Sequence, residues 1–233
     1  MSKNISIVIP VYNEESNIQN IYQEITSRLN DYKYYELIFI EDGSNDNTYI
    51  NLLELKKREK NLIIIKNESN FGQSYSIHKG IRESNFENII TIDGDGQNDP
   101  KDITMLIDLY FKNPNTKLIA GIRNKRRDNL IKIFSSKIAN SFRNMILKDG
   151  CKDTGCSLKI FDKKTFLKFP YFNGIHRFLP ALFKGYGCKV KYVDVNHRSR
   201  ISGVSKYGTF MRFFRGIRDL IKVIIILNKQ NIK

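Results

Sequence analysis

Through the first half of the chain, short apolar β-branched runs alternate with amphipathic stretches, and no other feature restricts the fold so tightly. Ile5–Ile9, Glu36–Ile40, Leu62–Lys66, Asn88–Ile92 and Leu118–Ile122 read as strands. Between them, Glu15–Leu29 puts Ile18, Ile21, Ile25 and Leu29 on one helical face, and Asn47–Lys60, Gln73–Glu83 and Asp102–Phe111 also read as helices. The turn Asp42-Gly43-Ser44-Asn45-Asp46 offers capping groups to the second of these helices. Such alternation predicts an α/β chain whose mainly parallel sheet carries helices on both faces.

After residue 122 the pattern loosens. Leu130–Leu147 and Ile175–Lys184 read as helices, and Ser157–Phe161 and Val190–Val195 as strands. No Pro/Gly/Ser-rich linker separates the halves, so this part is expected to extend the same sheet. The division is therefore one domain over 1–206, with halves 1–122 and 123–206, and an appended segment 207–233. From Tyr207 to Leu227 the spacing predicts a basic amphipathic helix. Arg212, Arg215, Arg218 and Lys222 lie along it, with Phe210, Phe213, Phe214, Ile217, Leu220 and Ile221 on the apolar side. Such a helix suits an anionic membrane interface. No run approaches the ~18 apolar residues of a membrane span, and the first residues enter a strand with no signal-peptide pattern. Cys151, Cys156 and Cys188 have no C-x-x-C or nearby His spacing, which argues against a disulfide framework or zinc site and for a reducing compartment.

The net charge of +15 is unevenly spread. Acidic residues outnumber basic ones before residue 118, and basic ones dominate after it. That asymmetry suggests a metal-using half joined to one that meets phosphates or an anionic surface. Nucleic acid remains a rival partner on charge alone. The acidic half has a focus: Ile92-Asp93-Gly94-Asp95-Gly96-Gln97 sets two carboxylates one residue apart, just past a predicted strand. Like charges this close raise each other's pKa unless a cation intervenes. A hard divalent ion such as Mg²⁺ is the usual one, taking one or two carboxylates plus substrate phosphates. Gln97 can add a neutral oxygen, and Gly94 and Gly96 leave the backbone open to phosphate.

Other strand ends on the same predicted edge carry polar motifs. Pro10–Glu15 follows the first strand, Glu41–Thr48 the second, and Asn70-Phe71-Gly72-Gln73 the third. Tyr12 can stack on a base, and Glu14 and Asp42 can accept hydrogen bonds from a base or ribose. Four such motifs in order are hard to explain as helix caps. Together with Asp93–Pro100 they resemble the signature of glycosyltransferase family 2 on a GT-A fold, a Rossmann-like α/β architecture. Asp153–Lys159, His176–Leu182, His197–Arg200 and Gly203–Gly208 further resemble its dolichol-phosphate mannosyltransferase branch, which transfers sugar from a nucleotide donor to a polyprenyl phosphate.

The resemblance implies an inverting, metal-dependent hexosyl transfer from GDP-mannose or a UDP-sugar to a dolichyl or undecaprenyl phosphate. It assigns the nucleotide-sugar to Pro10, Tyr12, Glu14, Asp42, Gly72, Asp93, Gly94 and Lys206. Mg²⁺ or Mn²⁺ falls to Asp93, Asp95 and Gln97. The acceptor phosphate falls to Arg123, Lys132 and Ser136, and catalytic roles to Asp95, Arg200 and Asp153. Asp153 is expected to order the nearby cations, or to act as base if the acceptor is a hydroxyl. A phosphate acceptor is already ionised near neutral pH and needs cations more than a base. Peripheral attachment to the cytoplasmic membrane face follows, and the absent membrane spans of many relatives leave room for a separate small membrane subunit. Glu41 stands where the family often has Asp, and Lys132 where some relatives have Arg, which weakens bidentate phosphate binding but keeps the charge. Transfer to a glycan hydroxyl, and a non-catalytic nucleic-acid module, are the rival expectations. His176 and His197 fall inside motifs, yet read as structural histidines.

Overall fold

The computed structural model describes residues 3–123, 141–199 and 209–231. Its strands are β1 (Ile5–Val11), β2 (Tyr35–Glu41), β3 (Leu62–Lys66), β4 (Asn88–Thr91), β5 (Thr116–Arg123), β6 (Lys159–Asp162) and β7 (Lys189–Val195). The helices are α1 (Ile18–Arg28), α2 (Thr48–Lys56), α3 (Gln73–Glu83), α4 (Lys101–Phe111), α5 (141–147), α6 (Lys163–Phe166), α7 (Leu179–Gly185) and α8 (Thr209–Asn231). One seven-stranded sheet runs in the order β3-β2-β1-β4-β6-β5-β7. β1 pairs in parallel with β2 and β4, and β2 with β3. β6 lies antiparallel between β4 and β5, while β5 and β7 are parallel. The order 3-2-1-4 turns back between β1 and β4, and ligands of open α/β sheets collect at such a point.

Side chains alternate across the pleat, so each strand feeds two cores. On one face Ile5, Ile7 and Ile9 pack with Ile18 and Ile25 of α1, Leu52 of α2 and Leu106 of α4. On the other, Val8, Ile38, Ile40 and Phe161 pack with Ile77 and Ile81 of α3, Phe183 of α7, and Leu220 and Val223 of α8. Apolar residues buried on both faces explain why the strands read as continuous apolar runs.

Three elements differ from the sequence expectation. The strand expected at Ser157–Phe161 begins only at Lys159, because the Ser157 side chain bonds to the loop after β4. The helix expected at Ile175–Lys184 is interrupted. Gly174, at a φ of 108°, starts a 3₁₀ turn over Ile175–Arg177, and Pro180, which lacks an N–H, sits in the first turn of a separate α7. Of Leu130–Leu147, only 141–147 is described, and it is helical. The apolar side of α8 also splits in two. Leu220 and Val223 turn inward against the domain, whereas Ile217, Ile221 and Ile225 form an outward ridge, 39%, 52% and 50% exposed. Their spacing of four residues keeps them on one face. No helix among the described residues is long and apolar enough to cross a membrane.

Candidate active site

At the turning point of the sheet, the carboxyl ends of β1 and β4 open onto a cavity of about 190 Å³. Pro10, Tyr12 and Glu14 line it from β1 and the turn beyond, and Asp42 and Gly72 from the next two strand ends. Asp93, Gly94 and Asp95 line it from the end of β4, and Gln73 joins them from the first turn of α3. The loops are tightly fitted. A β-carbon on Gly94 would lie 2.5 Å from Val11 Cγ1, so only glycine lets this loop cross the end of β1. Gly43, at a φ of 71°, would bring a β-carbon within 2.6 Å of the Ser69 backbone. That contact packs the loop after β2 directly against the one after β3.

Asp93 is half-buried. Burial and the charge of Asp95 push its carboxyl up to about 6, although a Ser157 hydrogen bond and the charges of Lys159 and Arg123 pull the other way. Gln73 Nε2 donates to Asp93 Oδ1 at 2.6 Å. Asp95 is buried, and its Oδ1 accepts the Gln97 N–H at 3.1 Å. The pair is thus a local excess of negative charge facing a cavity, the electrostatic condition that a cation relieves. Among the described residues no three His, Cys, Asp or Glu side chains converge on one point. Two carboxylates nonetheless suit a hard ion that draws its remaining oxygens from water and phosphate, as Mg²⁺ does. Gln97 does not line the cavity. Its backbone is what acts: the N–H reaches Asp95, and the carbonyl accepts the Arg198 N–H at 2.8 Å.

Asp42 is buried and largely engaged. Its Oδ1 accepts from Asn67 Nδ2 at 2.7 Å and from the Phe71 N–H at 3.0 Å, and its Oδ2 from the Gly72 N–H at 2.8 Å. It therefore shapes the loop after β3 while presenting its remaining acceptor capacity to the cavity. Glu14 Oε2 accepts from Asn17 Nδ2 at 2.7 Å, which sets the start of α1.

On the basic side, Arg123 meets Asp153 as a two-pronged pair: Nε to Oδ2 at 2.7 Å and Nη2 to Oδ1 at 2.8 Å. Burial disfavours the guanidinium charge, but Asp153 outweighs it and raises the Arg123 pKa. With its carboxylate so held, Asp153 orders Arg123 and is poorly placed to serve as a base. Lys132, Ser136, Arg200 and Lys206 lie outside the described residues.

Two groups escaped the sequence reading. Lys159, 2% exposed, stands on β6 opposite Thr91 of β4, and its ammonium bonds the Cys156 carbonyl. It is a fixed cation within electrostatic reach of Asp93. The signal was a lysine inside the apolar run Leu158–Phe161. The other is Ser74, behind Gln73: its Oγ accepts the Gly174 N–H at 2.7 Å and lies 2.8 Å from His176 Nδ1. The buried hydroxyl hydrogen is best accommodated on Nδ1, and burial, aided by Arg177 and Lys159, holds the His176 pKa at about 3. His176 is a neutral structural group tying the turn before α7 to α3.

The model of "Glycosyl transferase family 2" matches residues 6–171. The chain is 34% identical over 231 residues to the dodecaprenyl-phosphate galacturonate synthase of Rhizobium johnstonii, covering 97% of this chain and 68% of that protein. It is 29% identical to an undecaprenyl-phosphate 4-deoxy-4-formamido-L-arabinose transferase of Pectobacterium atrosepticum, covering 94% of this chain and 67% of that one. The chain thus spans about two thirds of the length of these relatives. Among solved structures, glucosyl-3-phosphoglycerate synthase from Mycobacterium tuberculosis in complex with Mn²⁺, UDP and glucosyl-3-phosphoglycerate superposes with a TM-score of 0.72 at 15% identity, covering 96% of this chain and 79% of that one. The same enzyme with Mg²⁺ and UDP gives 0.72 at 16%, with the same coverage. At these identities the structural likeness speaks for the fold, which is the α/β architecture with a mostly parallel sheet that the sequence predicts.

Proposed function

The chain belongs to glycosyl transferase family 2, and from that premise we propose that it transfers a sugar from a nucleotide donor to a polyprenyl phosphate, with inversion and with the help of a divalent ion. The observation that carries the proposal is the Asp93–Asp95 pair at the mouth of a cavity that Tyr12, Glu14 and Asp42 share, where burial and the charge of Asp95 raise the pKa of Asp93. In this reading the nucleoside lies along Pro10, Tyr12, Glu14, Asp42 and Gly72, and its diphosphate reaches Asp93, Gly94 and Asp95. Mg²⁺ or Mn²⁺ held by Asp93 and Asp95 supplies Lewis-acid neutralisation of the departing diphosphate. Gln97 enters this set through its backbone rather than as a side-chain ligand.

The polyprenyl-phosphate acceptor is supported by the names of two relatives, both of which act on prenyl phosphates. It is supported again by the chemistry of the basic half. A phosphate monoester attacks without a general base, and Asp153, tied to Arg123, offers none. Arg123, oriented by Asp153, is the described cation assigned to the acceptor phosphate, and the family resemblance adds Lys132 and Ser136 to that role and Arg200 and Lys206 to the diphosphate. Transfer to a glycan hydroxyl has no comparable support, because such an acceptor asks for a base. The outward ridge Ile217–Ile221–Ile225, flanked by Arg218 and Lys222, fits attachment to the surface of an anionic membrane where a prenyl phosphate resides. The cytoplasmic face and a small membrane subunit belong to the same proposal.

The test is a panel of UDP- and GDP-sugars offered with a short polyprenyl phosphate or with saccharides, following nucleoside diphosphate release and labelled product. Lipid-linked product from one donor is expected. Product with saccharides alone contradicts the acceptor assignment.

A further inference from the structure

The loop that carries Asp93 and Asp95 is held on one side by β1, where Gly94 crosses Val11. On its other side it is fastened by the residues just after β7. Asn98 and His197 form an antiparallel bridge. The Arg198 N–H donates to the Gln97 carbonyl at 2.8 Å. Asn196 reaches both oxygens of Asp102, its N–H to Oδ2 at 2.6 Å and its Nδ2 to Oδ1 at 2.9 Å. The Arg198 guanidinium then spans two elements, with Nη2 donating to Asp99 Oδ1 and Nη1 to Glu24 Oε2 of α1, each at 2.6 Å.

The residues so fastened are the ones that orient the two carboxylates. Gln97 uses its carbonyl toward Arg198 and its N–H toward Asp95 Oδ1. Asn98, buried, accepts the Ser157 hydroxyl at 2.6 Å, and Ser157 Oγ accepts the Asp93 N–H at 3.2 Å. Each aspartate is therefore one link from the 97–98 segment, and that segment is zipped to 197–198. Nothing in the loop's own sequence, with Gly94 and Gly96 flanking Asp95, would hold it to a single shape.

We propose that Arg198 is a positioning residue for the Asp93–Asp95 pair: by binding Asp99 and Glu24 together it fixes the Gln97–Asn98 backbone, and through it the two carboxylates. The inference rests on the ion reading above and reaches beyond it, since Arg198 touches neither the cavity nor the reacting groups. It also explains why an arginine stands here. A lysine is a point charge and lacks the fork that engages two carboxylates on different elements.

The experiment measures Mn²⁺ affinity, by electron paramagnetic resonance of free Mn²⁺ with UDP or GDP present, for the wild-type chain and for Arg198→Ala, Arg198→Lys and Glu24→Gln. Thermal unfolding of the metal-free proteins is recorded alongside. Groups that orient metal-binding side chains typically contribute about 10- to 100-fold to affinity, so Arg198→Ala is expected to weaken Mn²⁺ at least about tenfold at temperatures where it stays folded. Arg198→Lys is expected to fall between Arg198→Ala and wild type. Glu24→Gln, at a half-exposed position that tolerates change, takes the charge from one arm while keeping an acceptor, and is expected to weaken binding by up to about threefold even if Arg198→Ala does not fold. Affinity unchanged in every folded variant overturns the positioning role while leaving the ion site standing. A wild-type chain that takes up no Mn²⁺ overturns the ion site itself, and the positioning role with it.

Discussion

The acidic and basic halves of the chain handle charge in opposite ways. In the basic half three guanidinium groups are matched with buried carboxylates inside the protein: Arg123 with Asp153, Arg143 with Asp149, and Arg177 with Asp219. On the acidic side Asp93 and Asp95 line one cavity side by side, and Asp93 remains pushed up to about 6 despite Lys159 and Arg123 nearby. One side is completed by its own residues. The other is in deficit of positive charge, and a divalent ion brought with the donor would complete it. The contrast suggests that the basic half contributes shape and orientation before substrate arrives, while the acidic half acquires its working electrostatics only on loading.

The sharpest way to break this contrast is to remove one carboxylate from the incomplete side. Asp95→Asn keeps an acceptor for the Gln97 N–H and should leave the fold intact, yet sugar transfer should fall about 10³-fold, the scale of losing a preorganised electrostatic contact. Turnover close to wild type in that variant would remove the ion from the account. The complementary change, Asp153→Asn, leaves the Arg123 charge buried without its partner and should destabilise the fold by about 3–5 kcal/mol, read by urea or thermal unfolding. A loss below about 1 kcal/mol would mean that the basic side is not internally completed after all.

These expectations rest unevenly on the sequence and the structure. The β3-β2-β1-β4 half was readable because its strands are local apolar runs whose periodicity survives any tertiary detail. Leu62–Lys66 and Gln73–Glu83 match the observed elements to the residue. The cavity residues were readable for the same reason, since strand ends at a turning point converge whatever the loops do. Contacts between distant segments were not. Nothing local to Gln97 says that its side chain stays off the cavity while its backbone works, because that depends on Arg198, a hundred residues later. Lys159 lies within an expected strand and a family motif, but only the pairing of β6 with β4 places it beside the acidic loop. The double character of α8 was hidden because apolar periodicity cannot tell a face that meets the domain from one that meets something else.

Two smaller effects refine the contrast. Ile221→Ser, on the outward ridge of α8, should weaken binding to anionic vesicles about tenfold without changing the unfolding midpoint. Equal vesicle binding would detach the ridge from the membrane proposal. The last effect concerns pH. The folded-state pKa of Asp93 lies above its ordinary value, so folding favours the protonated group. Asp93 should therefore contribute roughly 1–2 kcal/mol more stability to the metal-free protein as pH is lowered from 7 through about 6 toward 5; buried neutral His176 opposes it over the same interval, so the Asp93 contribution is read as the difference between wild type and Asp95→Asn. Asp95→Asn removes the repelling charge and should flatten that dependence. The same pH dependence in wild type and Asp95→Asn would show that the acidic side is already compensated.

The most direct measurement of the central claim is thermal unfolding of the wild-type chain and Asp95→Asn with and without Mn²⁺ plus UDP or GDP. The account predicts that the ion and one nucleotide together raise the wild-type midpoint by several degrees and leave Asp95→Asn unmoved, in keeping with binding that stabilises only the folded state. Equal shifts in the two proteins, or a wild-type shift that needs no divalent ion, would contradict it.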